Sequence, residues 1–227
     1  MRQSAGDRAG SMQTVVDAYF RHHYGVLFYT LLVTLVVAPV IYTLEWRSSL
    51  IELLLAVSLL AAVMPLGSVK SRRAAFAATL LLWLARPLTA WLNHPVVSAT
   101  TLGAWTLIGL FAAGGALRYA MRAKRIDVEH LYAALSAYLL AGIFFGSFYG
   151  VLEQLVPGSF AAAGEFTRMS AIYFSFVTLA TLGYGDIVPR SDIARGLAIL
   201  EGVGGQLFLA VLVARLVSLY SRDPKAL

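Results

Sequence analysis

"ATLGYGDIVP", residues 180–189, decides how this chain is read. Its two glycines, aspartate and proline suit a surface turn, yet it lies between two strongly apolar stretches. Among membrane-spanning helices, irregular backbone is tolerated only where protein buries it or where it lines a water-filled path. What surrounds the decamer therefore decides what it is.

Of the 227 residues, 59% are hydrophobic and 13% charged, and the mean hydropathy is +0.74. Soluble domains are nearer half apolar and a quarter charged, so this composition belongs in lipid. The absence of cysteine excludes disulfides, thiolate metal sites and cysteine catalysis. Apolar runs long enough to cross a ~30 Å hydrocarbon core as helices fall at about 25–44, 50–66, 74–92, 97–117, 131–152 and 193–219. The amphipathic segment Met12 to Tyr24 is expected at the interface. Residues 1–24 are too polar, and the first apolar run too long, for a cleaved signal peptide. No linker or hydrophilic tail is long enough for a separate soluble domain, so no cytoplasmic regulatory domain is expected.

Lysine and arginine accumulate in cytoplasmic loops, and their distribution gives the orientation. Arg2, Arg8 and Arg21 precede the first run, and Lys70, Arg72 and Arg73 separate the second from the third. Arg118, Arg122, Lys124 and Arg125 separate the fourth from the fifth, and Arg222 and Lys225 follow the sixth. Six crossings with both termini cytoplasmic put every cluster inside, which accounts for the net charge of +6 without nucleic acid. Residues 153–192 then face out, and within them "SAIYFSFVTLA" (170–180) covers only about 16 Å as a helix. That length suits a helix that enters the membrane and returns. A short helix going in, a polar loop coming out and a long helix crossing after it describe a pore.

"TLGYGD" (181–186), preceded by "YFSFVTLA" and followed by "IVP", resembles the selectivity filter of tetrameric potassium channels. Residues 130–220 match that family's pore module in order and spacing: outer helix, pore helix, filter, inner helix. The resemblance implies an all-α membrane protein with six transmembrane helices, a re-entrant pore helix and a filter loop, forming a homotetrameric pore. One chain carries one filter strand, and a closed ring needs four. The expected parts are a cytoplasmic N-terminus with interfacial helix (1–24), a four-helix domain (25–129), the pore domain (130–220) and a short cytoplasmic tail (221–227).

In the resemblance, the carbonyls of Thr181, Leu182, Gly183 and Tyr184, with the Thr181 hydroxyl, replace the water of a potassium ion. Successive carbonyls can point one way only if alternate residues adopt unusual φ, which Gly183 and Gly185 do without a Cβ penalty. The Tyr184 ring is expected to pack outward against the pore helix. Asp186 marks the outer mouth, where four copies would concentrate cations. Leu182 stands where the family more often has Val or Ile. Val177 stands where some members carry a carboxylate that pairs with the filter aspartate, and Tyr173 is positioned to hydrogen-bond Asp186 instead. Thr178 and Glu201 complete the expected filter support, Glu201 either bonding a pore-helix hydroxyl such as Ser175 or Thr178, or protonated. Gly205 falls at the family's inner-helix hinge. Gln206, Leu209, Ala210, Val213 and Val217 follow at helical spacing as candidate cavity and gate residues.

Gly142, Gly146 and Gly150, at steps of four, mark a face for close contact with the sixth helix or the pore helix. Voltage sensing needs several arginines within a mobile helix. The fourth run has none, and Arg118, Arg122 and Arg125 fall at its cytoplasmic end. Arg86 and Glu52, both costly in hydrocarbon, either pair, or Arg86 snorkels outward to the interface. His22, His23, His94 and His130 lack metal-ligand spacing, and no catalytic triad or acid pair is present. The expectation is a non-enzymatic, potassium-selective channel of the cell membrane (plasma or inner), not strongly voltage-gated. Its partners are potassium, the bilayer, its own copies and a possible regulatory subunit, and it needs no cofactor. Two other readings stay open: a potassium transporter or uptake subunit, and a non-conducting membrane scaffold that retains the pore module.

Overall fold

A computed structural model describes residues 22–43, 56–59, 69–91, 95–122 and 127–221. Its elements are α1 (His23–Thr43), α2 (Val69–Trp91), α3 (Pro95–Ala120), α4 (Val128–Leu155), β1 (Phe160–Ala162), α5 (Arg168–Leu179), β2 (Ile187–Pro189) and α6 (Asp192–Tyr220). Among the described residues, four helices are long and apolar enough to cross a membrane: α1, α3, α4 and α6. They coincide with four of the six expected runs, and the chain is a multi-pass membrane protein. The third run falls in α2, where Phe76–Ala85 is the apolar stretch found among the described residues. The second run, 50–66, lies outside the described residues except for a helical turn at 56–59. Most of the expected interfacial segment, Glu52 and the Arg86 side chain also lie outside them.

α3, α4 and α6 extend beyond their apolar runs at both ends. α4 begins three residues before the expected 131, and its Glu129 accepts the Tyr24 backbone N–H at 3.1 Å. A carboxylate at the positive end of α1 is favourable, and it fastens α1 to α4. Thr167 caps α5 by accepting the Ser170 N–H at 3.2 Å, and Ser191 caps α6 by accepting the Ala194 N–H at 3.2 Å. Serine and threonine oxygens satisfy N–H groups that a helix start leaves without partners.

α4 is the centre of the packing, touching α3, α5 and α1. Small residues let it come close. A Cβ on Gly109 of α3 would lie 2.4 Å from the Phe144 ring, and one on Gly142 would lie 2.6 Å from the Phe176 ring. At Gly146 the obstacle is backbone, the Ile172 Cα at 2.5 Å. The glycine face of α4 thus meets α5 rather than α6, and only through two of its three members, since nothing lies within 4 Å of a Cβ on Gly150. α6 is different. Only Ala194, Glu201 and Gly205 are buried along its 29 residues. Ile199, Leu200, Val203, Leu207 and Val217 remain mostly exposed within the single chain.

Candidate functional site

α5 spans 12 residues, about 18 Å, and so stops short of crossing a bilayer. Its C-terminus sets the geometry of the loop that follows. Thr181 N–H bonds the Thr178 carbonyl at 3.0 Å, and Leu182 N–H reaches back to the Val177 carbonyl at 2.9 Å. With Ala180 as the C-cap, this 5→2 and 6→1 pair is a Schellman ending, which requires a left-handed residue next. Thr181 takes that place with φ +57°, the one non-glycine with positive φ among the described residues. Gly183 follows at φ +58° and Gly185 at +79°. Leu182 and Tyr184 between them keep negative φ. The backbone thus alternates in hand over five residues, the arrangement that lets consecutive peptide carbonyls face one way.

The sequence marks two of these left-handed positions through glycine. It does not mark Thr181, because a β-branched residue is the least expected occupant of that region. The helix ending forces it there.

The far end of the loop is clamped. β2 pairs antiparallel with β1 in the register Phe160↔Pro189, Ala161↔Val188 and Ala162↔Ile187. The Ser159 carbonyl accepts N–H bonds from Arg190 at 2.7 Å and Ser191 at 3.3 Å. Glu153, at the end of α4, accepts the N–H groups of Gly158 at 2.8 Å and Phe160 at 3.1 Å. Phe160 stacks on Phe166 at 4.6 Å and meets Tyr149 and Phe174 edge-on. Neither Glu153 nor this aromatic cluster is signalled by sequence spacing, because the contacts join three separate elements.

Around the loop, the Tyr173 hydroxyl donates to Asp186 Oδ2 at 2.8 Å. This bond holds the Tyr173 phenol above the ordinary tyrosine value, with desolvation and the nearby charges of Asp186 and Tyr184 adding to it. Val177 is buried and, being a valine, offers Asp186 no hydrogen-bonding partner. Thr178 contributes its carbonyl to Thr181 rather than its hydroxyl to Glu201. Leu182 is 56% and Tyr184 66% exposed in the single chain.

Below the loop, Gln206 Nε2 lies 3.5 Å from Thr181 Oγ1, and Leu209, Val213 and Val217 are exposed on α6. A Cβ on Gly205 would come within 2.7 Å of the Leu179 carbonyl, so the inner helix touches the end of α5 there. Behind α5, buried Glu201 is met by two hydroxyls: Tyr149 donates to Oε2 at 2.6 Å, and Ser175 bonds Oε1. Ser175 Oγ also lies 2.7 Å from the Gly142 carbonyl. On the opposite side of the molecule, His22 approaches Glu129 at 3.5 Å, and His130 approaches Asp127 at 3.4 Å while stacking on Tyr119. Among the described residues no group of three His, Asp or Glu side chains could hold a metal.

A short helix, a loop of alternating hand and a long helix leaving it have the order and lengths of a pore module. The protein family described as "Ion channel" matches residues 133–222. "Two pore potassium channel c" of Oryza sativa subsp. japonica is 37% identical over 93 residues, covering 40% of this chain and 19% of that protein. "Inward rectifier potassium channel Kirbac3.1" of Paramagnetospirillum magnetotacticum is 36% identical over 72 residues, 32% of this chain and 22% of that protein. "Protein LctB" of Geobacillus stearothermophilus is 30% identical over 129 residues, 54% of this chain and 90% of that protein. No solved structure matches. The chain belongs to the ion-channel family, and its C-terminal part is a potassium-channel pore module. The family is one of channels, not enzymes. The matches span only about a fifth of the length of the two-pore and Kirbac relatives.

Proposed function

We propose that four copies of this chain surround a central axis and conduct potassium passively through residues 181–185. The alternation of backbone hand at Thr181, Gly183 and Gly185 carries this reading. Carbonyls of Thr181, Leu182, Gly183 and Tyr184, with the Thr181 hydroxyl, would replace the ion's hydration shell. Gln206, near that hydroxyl, would face the cavity below, followed by Leu209, Val213 and Val217, where an apolar ring can close the path by dewetting. Asp186, held by Tyr173, would sit at the outer mouth.

The exposed apolar surface of α6, together with exposed Leu182 and Tyr184, supports assembly. Such surface on one chain marks a contact with another copy or with lipid. The basic clusters support six crossings with both termini cytoplasmic in a cell membrane. The lack of arginine in α3 before Arg118 supports weak voltage dependence.

Purified protein in liposomes tests this directly. It should pass potassium and rubidium, exclude sodium and be blocked by barium. Equal sodium and potassium flux would remove the selectivity claim, and absence of flux would favour a scaffold.

A further inference from the structure

Ser175 poses a problem of proton count. Its oxygen sits within hydrogen-bond distance of the Gly142 carbonyl and of Glu201 Oε1. A serine hydroxyl has one proton to give, and a peptide carbonyl has none. If Glu201 were a carboxylate, Ser175 could satisfy one of these acceptors and would be pressed unbonded against the other. Tyr149 cannot resolve this, because its own proton is directed at Oε2.

One arrangement makes every contact a hydrogen bond. Glu201 carries a proton on Oε1 and donates it to Ser175 Oγ, Ser175 donates to the Gly142 carbonyl, and Tyr149 donates to Oε2. We infer that Glu201 is a neutral carboxylic acid and acts as a positioning residue, relaying one hydrogen-bond chain from Tyr149 through Ser175 to the Gly142 backbone.

The surroundings agree. Glu201 is 1% exposed and Ser175 is fully buried. The groups facing Glu201 are Tyr149 and Tyr138 from α4 and Ser175 from α5, while α3 presents Leu110, Ala113 and Leu117 to the same cavity. A buried carboxyl surrounded by hydroxyl and hydrocarbon groups favours the neutral form, since burying an unpaired charge is far more costly than burying a satisfied acid.

The chain crosses three elements. Tyr149 and Gly142 belong to α4, Ser175 to α5 and Glu201 to α6. Gly142 is also where the Phe176 ring presses on α4. The relay therefore fixes the depth and rotation of α5 between α4 and α6, about one and a half turns before the C-cap Ala180 of the Schellman ending that sets Thr181. Its role as a positioning device rests on the conducting reading above; its protonation state does not.

The test joins spectroscopy to flux on the full-length protein in lipid at neutral pH. Infrared difference spectra between wild type and Glu201→Gln should contain the carbonyl stretch of a protonated carboxylic acid, shifted by deuterium exchange. Glutamine can repeat the relay, its amide N–H donating to Ser175 and its carbonyl accepting from Tyr149. Potassium flux in Glu201→Gln should stay within about twofold of wild type, while Ser175→Ala, which breaks the relay, should cut it about tenfold or more. Glu201→Ala should match Ser175→Ala, and if it fails to fold, Ser175→Ala alone carries the comparison. A carboxylate signal in place of the acid band would overturn the inference whatever the flux. Gln as damaging as Ala would overturn the relay. Loss of flux in wild type itself, with the acid band present, would instead reject the conducting reading and leave the protonation state standing.

Discussion

At the scale of the residue, Thr181 is held where its chemistry is wanted and its backbone is not at ease. A left-handed φ costs a β-branched residue about 1–2 kcal/mol relative to glycine. Thr181→Gly should therefore raise the thermal stability of the folded protein by about 1 kcal/mol. The same change removes the hydroxyl and should lower the potassium-to-sodium flux ratio. Parallel melting and flux measurements check both halves, and a variant that loses stability would contradict the strain account.

Tyr173 offers a prediction in pH. Its phenol is held above the ordinary tyrosine value, chiefly by the bond to Asp186. The bond is therefore intact below the usual tyrosine value of about 10 and is lost as pH rises through the elevated one. Tyr173→Phe should inactivate severalfold faster than wild type at neutral pH. The two should converge only in strongly alkaline solution on the outer side, as recordings across pH would show. These residues also mark what the sequence discloses. Gly183, Gly185 and the Tyr173–Asp186 pairing were readable, because glycine declares its φ and the resemblance to the filter family suggested the partner. Thr181 as a left-handed residue was not readable, because the way the preceding helix ends imposes it.

At the scale of the element, α4 and α5 are locked by backbone contact. Gly146 has no room for a methyl group, because the Ile172 Cα blocks it, whereas Gly150 on the same face has open space. Gly146→Ala should cost about 1–3 kcal/mol, the usual result of overpacking. Gly150→Ala should be neutral or gain about 0.5–1 kcal/mol from helix propensity. Thermal denaturation in one detergent distinguishes them, and equal effects would refute the packing assignment. Periodicity identified the glycine face, but not which helix it would meet or which of its members would be in contact. Similarly, the apolar runs gave the positions of α1, α3, α4 and α6, while the starts of α5 and α6 are fixed by side-chain caps. Thr167 and Ser191 are local signals of that kind. Glu129 bonding Tyr24 across 105 positions is not one.

At the scale of the whole molecule, the helix before the pore module differs from a voltage sensor. Moving one charge through the membrane field is worth about 2.3 kcal/mol per 100 mV, and steep gating needs several. α3 carries no charge before Arg118, at its last turn. Currents recorded over a wide voltage range should show no steep activation, with an apparent gating charge below about one per subunit. A steep curve would require sensing charges elsewhere in the chain.

The ladder between β1 and β2 has a mechanical consequence. Through Ser159 it ties the start of α6 to the end of α4, so the N-terminal end of α6 is an anchored post. Lower down, Gly205 rests against the Leu179 carbonyl and acts as a fulcrum. Beyond it α6 continues to Tyr220 as a lever arm of about 22 Å. With the N-terminal end of α6 pinned, displacement of that arm is converted into torque at the end of α5, so a push delivered near Tyr220 would reach Thr181 and leave residues 186–189 still.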